Sequence, residues 1–234
     1  MASGSSTSDT IQLEAFNVNL HGTKILCQGP WVDGKYPPIL DAVKKLRDPF
    51  KRQILVSRTP FSFSKALPLQ YDATFQVRET ADWSLILTYL AYAPKPALAI
   101  IEDVEVPDAV WSKLASTITC VHITATPIRN ARAYDAVFFA PIGEMSGSVH
   151  GWSGASSYAE FVFHQLHMLY KGANLSAAHY KEIVQELRVA GAGLAYTGGT
   201  IYWYDTVASQ GSDPLSGKQL SELFLWLAER FRTS

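Results

Sequence analysis

The chain has 234 residues, 47% of them hydrophobic and 18% charged, with a formal charge of -1. That is enough chain for one large domain whose core needs neither a disulfide nor a structural metal. Near-neutrality excludes a global basic field for nucleic acid and leaves only local patches. No apolar run reaches the roughly 18 residues of a membrane span.

The opening "MASGSSTSDT", residues 1–10, lacks the apolar segment of a secretory signal and reads as a Ser/Thr-rich disordered tail. "IQLEAFNVNL" then alternates, "HG" turns the chain, and "TKILCQ" follows as a more buried strand. "YPPILDAVKKL" has a proline-marked start and apolar residues at 39, 40, 43 and 46, the face of a helix. Short apolar runs recur as "QILVS", "ATFQV", "ALAII", "ITCVHIT" and "AVFFA". Helical stretches, "FSKAL", "TADWSLILTYLAY" and "PDAVWSKLAS", separate most of them. Continuous apolar strands alternating with helices predict an α/β fold, a three-layer, mostly parallel sheet covered on both faces. Cys27 and Cys120 lie inside such runs and are expected as buried thiols of a reducing compartment, which places the protein in the cytoplasm.

After Pro141 the texture changes. A Gly/Ser loop, "GEMSGSVHGWSGASS", precedes two amphipathic helices, roughly 156–171 and 176–189. "GLAYTGGTIYWYDT" predicts a hairpin about Gly198-Gly199. A further loop, "ASQGSDPLSG", leads to a last helix with Leu220, Leu223, Phe224, Leu227 and Phe231 on one stripe. The expected organisation is a tail (1–10), an α/β domain (11–140) and a C-terminal α+β extension packed on it (141–234). Trp226 lies off the stripe of the last helix and makes that helix a candidate homo-oligomer contact.

Residues 29–36, "GPWVDGKY", contain a glycine, four residues and then Gly-Lys, between a buried strand and a helix start. A phosphate-binding loop needs that order: backbone N–H groups and the helix dipole hold the anion, and the lysine reaches the outer phosphates. Tyr36 stands where such a loop has a Ser or Thr for magnesium. The alternative reading is an ordinary strand-to-helix turn with a solvated lysine. Further on, "IIEDVEVPD" is a strand ending in acids, and "HITATPIRN" ends the next strand. Read without a phosphate loop, the first is a charged loop whose Asp108 favours a helix start, and the second is a strand stopped by proline.

In this order, "GPWVDGKY", "ILVSRTP", "IIEDVE" and "ITATP" resemble the first RecA-like domain of the superfamily-two helicases, a group that includes the viral polyprotein helicases. The resemblance covers roughly residues 20–130, and "TATP" alone matches letter for letter. It implies a RecA-like phosphate-loop sheet. Gly29, Gly34 and Lys35, with Tyr36 at the departed position, would hold ATP phosphates. Glu102 and Asp103 would stand at the family's Asp-Glu pair in reversed order, at the magnesium shell and the attacking water. Glu105 would replace the histidine that couples ATP to nucleic acid, so Lys35, Glu102, Asp103 and Glu105 are the implied catalytic set. Thr124 and Thr126 would link the acids to the nucleic-acid face, and Arg58, Thr59 and Thr80 would touch a phosphate backbone.

Two departures bear on activity. Reversing the acids moves each carboxylate by about one methylene, and a misplacement of roughly 1 Å can cost about a hundredfold in rate. No second RecA-like domain with an arginine finger follows, and Arg188, Arg230 and Arg232 form no such pattern. The expectation is therefore a degenerate helicase-like domain, a pseudoenzyme with weak binding of ATP and Mg2+ and weak or lost hydrolysis. Its expected partner is nucleic acid, RNA before DNA, or a protein in a larger assembly. The alternatives are a slow RNA-stimulated NTPase, a purely structural subunit of a viral kind, and a Rossmann-like methyltransferase.

Other constellations read as structural. His164 and His167 with Glu160 and Lys171 form a polar helix stripe, with zinc binding, His179 joining, as the alternative. Ser153 in "HGWSGAS" lacks the G-x-S-x-G spacing and is expected to cap a helix. Tyr196, Tyr202, Trp203 and Tyr204 are expected to pack a core or an interface, with base stacking as the alternative.

Overall fold

The structure, a computed structural model, describes residues 12–13, 18–19, 21–29, 50–58, 71–114, 116–128, 131–140, 152, 158, 161–162, 165–166, 192–197, 200–205 and 212–214. Two short pieces, β1 (Gln12–Leu13) and β2 (Val18–Asn19), pair antiparallel as a separate ribbon. The remaining strands are β3 (Lys24–Gln28), β4 (Arg52–Ser57), β5 (Ala73–Gln76), β6 (Ala97–Glu102), β7 (Ile118–Thr124), β8 (Ala136–Phe139), β9 (Ala192–Thr197), β10 (Thr200–Asp205) and β11 (Ser212–Pro214). They form one nine-stranded sheet in the order β11-β10-β9-β8-β3-β7-β6-β4-β5. From β8 through β5 every pairing is parallel, and β9, β10 and β11 add antiparallel at the β8 side. The α/β class and the mostly parallel sheet agree with the pattern of apolar runs.

Position in the sheet explains the composition of each strand. β6 and β7, at the centre, are buried along their whole length, as parallel strands covered on both faces must be. β5, at the edge, alternates half-buried with exposed residues. The strand pairing of the predicted hairpin is present, with Thr197 the register partner of Thr200. β11 falls within "ASQGSDPLSG", which the sequence reading assigns to a loop. Among the described residues it pairs with β10 alone and ends in Pro214, and a residue with no N–H to donate is accommodated at a sheet edge. Both cysteines are buried and unbridged, as expected.

Two helices are described in full. α1 (Asp82–Tyr92) connects β5 to β6 and buries Trp83, Ile86 and Leu90, a spacing that puts all three on one face. The edge of Tyr89 meets Phe75 of β5 at 5.2 Å, which fixes the helix against that strand. The carboxylate of Asp82 accepts from the backbone N–H groups of Arg78 and Glu79, which ties the turn before the helix to its first residue. α2 (Asp108–Trp111) is a single turn with Asp108 in it, as the helix-start reading of that acid requires. Residues 158, 161–162 and 165–166 are helical and lie within the predicted 156–171 helix. The predicted helices at 39–46, 63–67, 176–189 and the C-terminus lie outside the described residues, as do His164, His167 and His179. Among the described residues no helix is long and apolar enough to cross a membrane.

One polar cluster is sealed in the core. His122 of β7 is fully buried, and its Nδ1 lies 2.6 Å from the hydroxyl of Tyr134. The two rings stack at 5.9 Å, and Trp111 meets Tyr134 edge-on at 5.2 Å. Burial pushes the imidazole down to about 4, against an opposing backbone hydrogen bond at Val104.

Candidate functional site at the carboxyl ends of the parallel strands

In an open parallel sheet, ligands bind beyond the carboxyl ends of the strands. Here four of the motif-bearing strands end side by side. Ser57 of β4 is the register partner of Glu102 of β6, Glu102 that of Ile123 of β7, and Thr124 of β7 that of Gln28 of β3. The tertiary fold therefore brings "KILCQG", "ILVSR", "IIED" and "ITATP" to one edge. Gln28, Ser57, Glu102 and Thr124 are polar, yet none is more than 3% exposed. Buried polar side chains at a strand end must be held by partners, and those partners define the site.

Gln28 is the best satisfied of the four. Its Nε2 donates to the carbonyls of Thr124 and Thr126, each at 3.0 Å, and its Oε1 accepts from the N–H of Ile128 at 2.9 Å. The segment 124–128 thus wraps around one side chain. The N–H of Gly29 adds a bond to the Thr124 carbonyl at 3.0 Å. Thr124 Oγ1 accepts from the N–H of Thr126 at 3.1 Å, which orients the two threonines; Thr124 is buried and Thr126 exposed.

The two acids occupy different environments. Glu102 is enclosed. The phenol of Tyr71 is pushed up mainly by burial and secondarily by the negative charge of Glu102. Asp103 is exposed, sits at a φ of 47°, and donates its N–H to the Ile123 carbonyl at 2.9 Å. A left-handed backbone at an aspartate is uncommon but tolerated. Here it turns the chain off β6 so that Asp103 Oδ1 accepts from the N–H of Ala125 at 3.2 Å. Glu105 is exposed two residues further on.

Of the implied phosphate loop, Gly29 is described, and Gly34, Lys35 and Tyr36 lie outside the described residues. Gly29 has a φ of 129°, a conformation open to glycine and strained for other residues. Arg58 is exposed at the exit of β4, and its carbonyl accepts from Gln76 Nε2 at 3.1 Å. Thr59 lies outside the described residues. Thr80 is exposed, and its carbonyl accepts from the N–H of Trp83 as α1 begins.

Besides Gln28, further residues at this edge have no site role in the sequence analysis. Arg78, also exposed, donates to Gln76 Oε1 at 3.0 Å, so Gln76 bridges the exit of β4 and the turn into α1. The indole N–H of Trp152 donates to the Ala125 carbonyl at 3.0 Å. The Tyr158 hydroxyl lies 3.0 Å from the carbonyls of both Gln28 and Ala140 and shares its proton between them. A polar residue closing an apolar run, as in "KILCQ", was the available signal for Gln28. Nothing local marks Trp152 or Tyr158, because their partners lie 27 and 130 residues away.

Chemically, the described part of the edge offers the exposed carboxylates of Asp103 and Glu105, the enclosed carboxylate of Glu102, the threonines Thr80, Thr124 and Thr126, and the guanidinium groups of Arg58 and Arg78. Among the described residues no three His, Cys, Asp or Glu side chains cluster as metal ligands.

No family model matches the chain, and no curated protein matches it. Among solved structures, the chain is similar to the genome packaging NTPase B204 from Sulfolobus turreted icosahedral virus 2 in complex with AMPPCP. That match is 11% identical, covers 82% of this chain and 96% of the other, and has a TM-score of 0.42. It is also similar to B204, the DNA-packaging ATPase from Sulfolobus Turreted Icosahedral Virus, at 10% identity, 83% and 97% coverage and a TM-score of 0.40. Likenesses at these scores carry no functional weight, and the role of the chain is inferred from its own residues.

Proposed function

We propose that this chain is a degenerate, helicase-like phosphate-loop domain that binds nucleotide weakly, with nucleic acid or an assembly partner, and hydrolyses ATP slowly or not at all. The observation that carries this reading is the convergence at one sheet edge. The strand entering "GPWVDGKY", the strand ending in Glu102, and the strand ending in "TATP" are bound to one another through Gln28, Gly29 and Asp103. Gly29 leaves β3 in a glycine conformation, which suits a backbone turning to present N–H groups to an anion.

Weak chemistry follows from the same residues. Asp103, the exposed member of the acid pair, is already engaged with the Ala125 N–H. Glu102 is shut away from solvent, and Tyr36 replaces the small hydroxyl that would hold magnesium. In calorimetry with magnesium and a non-hydrolysable ATP analogue, the native chain is expected to bind weakly and Lys35→Ala to lose that binding. Equal binding by both proteins rules out a working phosphate loop. A steady-state phosphate-release assay with and without RNA is expected to show little turnover; fast turnover that disappears in Asp103→Asn would instead make the chain an active NTPase.

One observation favours a second reading, a structural subunit. Gln28, Asp103 and Trp152 all commit polar atoms to holding the 124–128 segment. That reading predicts no thermal shift with any nucleotide and a defined oligomer by light scattering.

A further inference from the structure

The nine-stranded sheet has two edges, and they differ. β11 is three residues long and ends in Pro214, and a short strand that ends in proline is a poor template for another chain. β5, at the other edge, contains neither proline nor glycine, and among the described residues no strand pairs with it beyond β4. The Val77 N–H points inward, to the Ser57 carbonyl at 3.0 Å. Alternation along the strand then turns the backbone N–H and C=O groups of Thr74 and Gln76 outward, and both residues are exposed.

An apolar surface continues from this edge onto α1. Phe75 meets Tyr89 at 5.2 Å, and the spacing of Leu85, Tyr89 and Tyr92 puts them on one ridge of the helix. Leu85 is 66% exposed and Tyr92 87%, and these are the exposed large apolar side chains among the described residues. The other exposed positions of α1, Ser84, Thr88 and Ala91, are uncharged, whereas the outer face of a surface helix ordinarily carries charge.

We propose that β5 and α1 form the face on which a second copy of this chain docks, by antiparallel pairing of β5 with its counterpart about a two-fold axis at Phe75. Charge selects this occupant and this register. Asp72 and Arg78 stand equally far in sequence on either side of Phe75, and both are exposed. Centring the pair on Phe75 sets Asp72 of each copy opposite Arg78 of the other. In-register parallel pairing would instead set like charges together. Thr74 comes opposite Gln76, and the two exchange their outward backbone hydrogen bonds. Asp72 keeps its 2.8 Å ion pair with Arg52 and so lies between two guanidinium groups. The Phe75 rings meet at the axis, each backed by its own Tyr89, and Leu85 comes beside Tyr92 of the second copy. A two-fold contact closes on itself, so assembly stops at the dimer. A phosphate backbone and the second copy compete for Arg78.

The test reads the mass of the ligand-free full chain, so its outcome does not depend on whether Lys35 holds a nucleotide. Sedimentation velocity at about 100 µM is expected to show a dimer; a monomer, or a ring of more copies, overturns the proposal. Thr74→Pro removes an outward N–H and leaves the β4–β5 ladder intact, and is expected to raise the dissociation constant about tenfold or more with the unfolding midpoint kept. Arg78→Glu sets like charges opposite each other and is expected to weaken the dimer as much, whereas Arg78→Lys is expected to retain it. A dimer that either Thr74→Pro or Arg78→Glu, once shown to be folded, leaves intact belongs to another surface and overturns this pairing. Hydrogen exchange in the native protein needs no variant. The Thr74 and Gln76 amides are expected to exchange more slowly at about 100 µM than at about 1 µM, and equal rates overturn the proposal.

Discussion

The hydroxyl of Tyr158 lies where residue 29 would carry a side chain: a Cβ built on Gly29 falls 2.2 Å from that oxygen. The same hydroxyl bonds the carbonyl of Gln28, one residue earlier. The start of the glycine-bearing loop and the C-terminal helical stretch are therefore fitted to each other at contact distance. Gly29→Ala must bear a φ of 129° and a clash, and is expected to cost about 2–4 kcal/mol in urea unfolding. Tyr158→Phe removes the hydroxyl and is expected to cost about 1 kcal/mol. Because it also removes the nearest clashing atom, the double variant should lose less than the sum of the two. Strict additivity would show that the contact is not the source of the strain.

Gln28 is the second quantity to measure. Gln28→Ala deletes three hydrogen bonds of a buried side chain, one fully and two partly buried, and strands the Thr126 carbonyl and the Ile128 N–H, with an expected loss of about 2–4 kcal/mol. Gln28→Glu keeps the shape but sets a carboxylate oxygen against two carbonyls, so it should also destabilise, and less so as the pH falls and the acid gains a proton. Unfolding midpoints at pH 7 and pH 5 separate the two variants, because only the glutamate variant should recover toward the native value in acid.

His122 gives a pH dependence whose sign follows from its burial. Its folded value, about 4, lies below the ordinary 6.5, so the unfolded chain takes up a proton that the folded chain refuses. Stability from this group is complete above pH 6.5 and is lost as the pH falls from 6.5 toward 4, by about 3 kcal/mol at most. Thermal unfolding of the native protein is expected to show this acid-side loss, and His122→Gln, which does not titrate, is expected to show a flatter curve over the same interval. Identical slopes for the two would mean that the imidazole takes up its proton over the same pH range in the folded and the unfolded chain.

If the edge touches a phosphate backbone, Arg58 and Arg78 contribute through charge alone. Each arginine-to-alanine change is expected to weaken binding of single-stranded RNA regardless of base sequence. Each should also reduce the log–log salt slope by about 1. Fluorescence anisotropy with a homopolymer and a mixed-sequence oligonucleotide checks both expectations. A sequence-dependent loss, or an unchanged slope, would remove these residues from the interface.

Much of the fold was legible in the runs themselves. "ALAII" and "ITCVHIT" are apolar on both faces because β6 and β7 are covered on both sides, and "DWSLILTYL" carries the helical spacing that buries Trp83, Ile86 and Leu90. The site was legible only as a list of strand ends. Gln28 looked like the end of an apolar run, and Trp152 like part of a Gly/Ser loop, since the bonds that give them roles span 96–100 and 27 residues. β11 escaped because three residues at an edge, one of them proline, carry almost no pattern.

By itself, the sequence determined the class of fold, since alternating apolar runs and amphipathic helices bury their surfaces in few ways other than as a covered parallel sheet. It also determined which residue types stand at the strand ends. The tertiary structure decided which strand ends became neighbours, and with that, that Gln28, Asp103 and Trp152 all grip 124–128. Local periodicity sets how much of a strand is buried. Hydrogen bonds between residues a hundred positions apart are set only when the sheet has chosen its order.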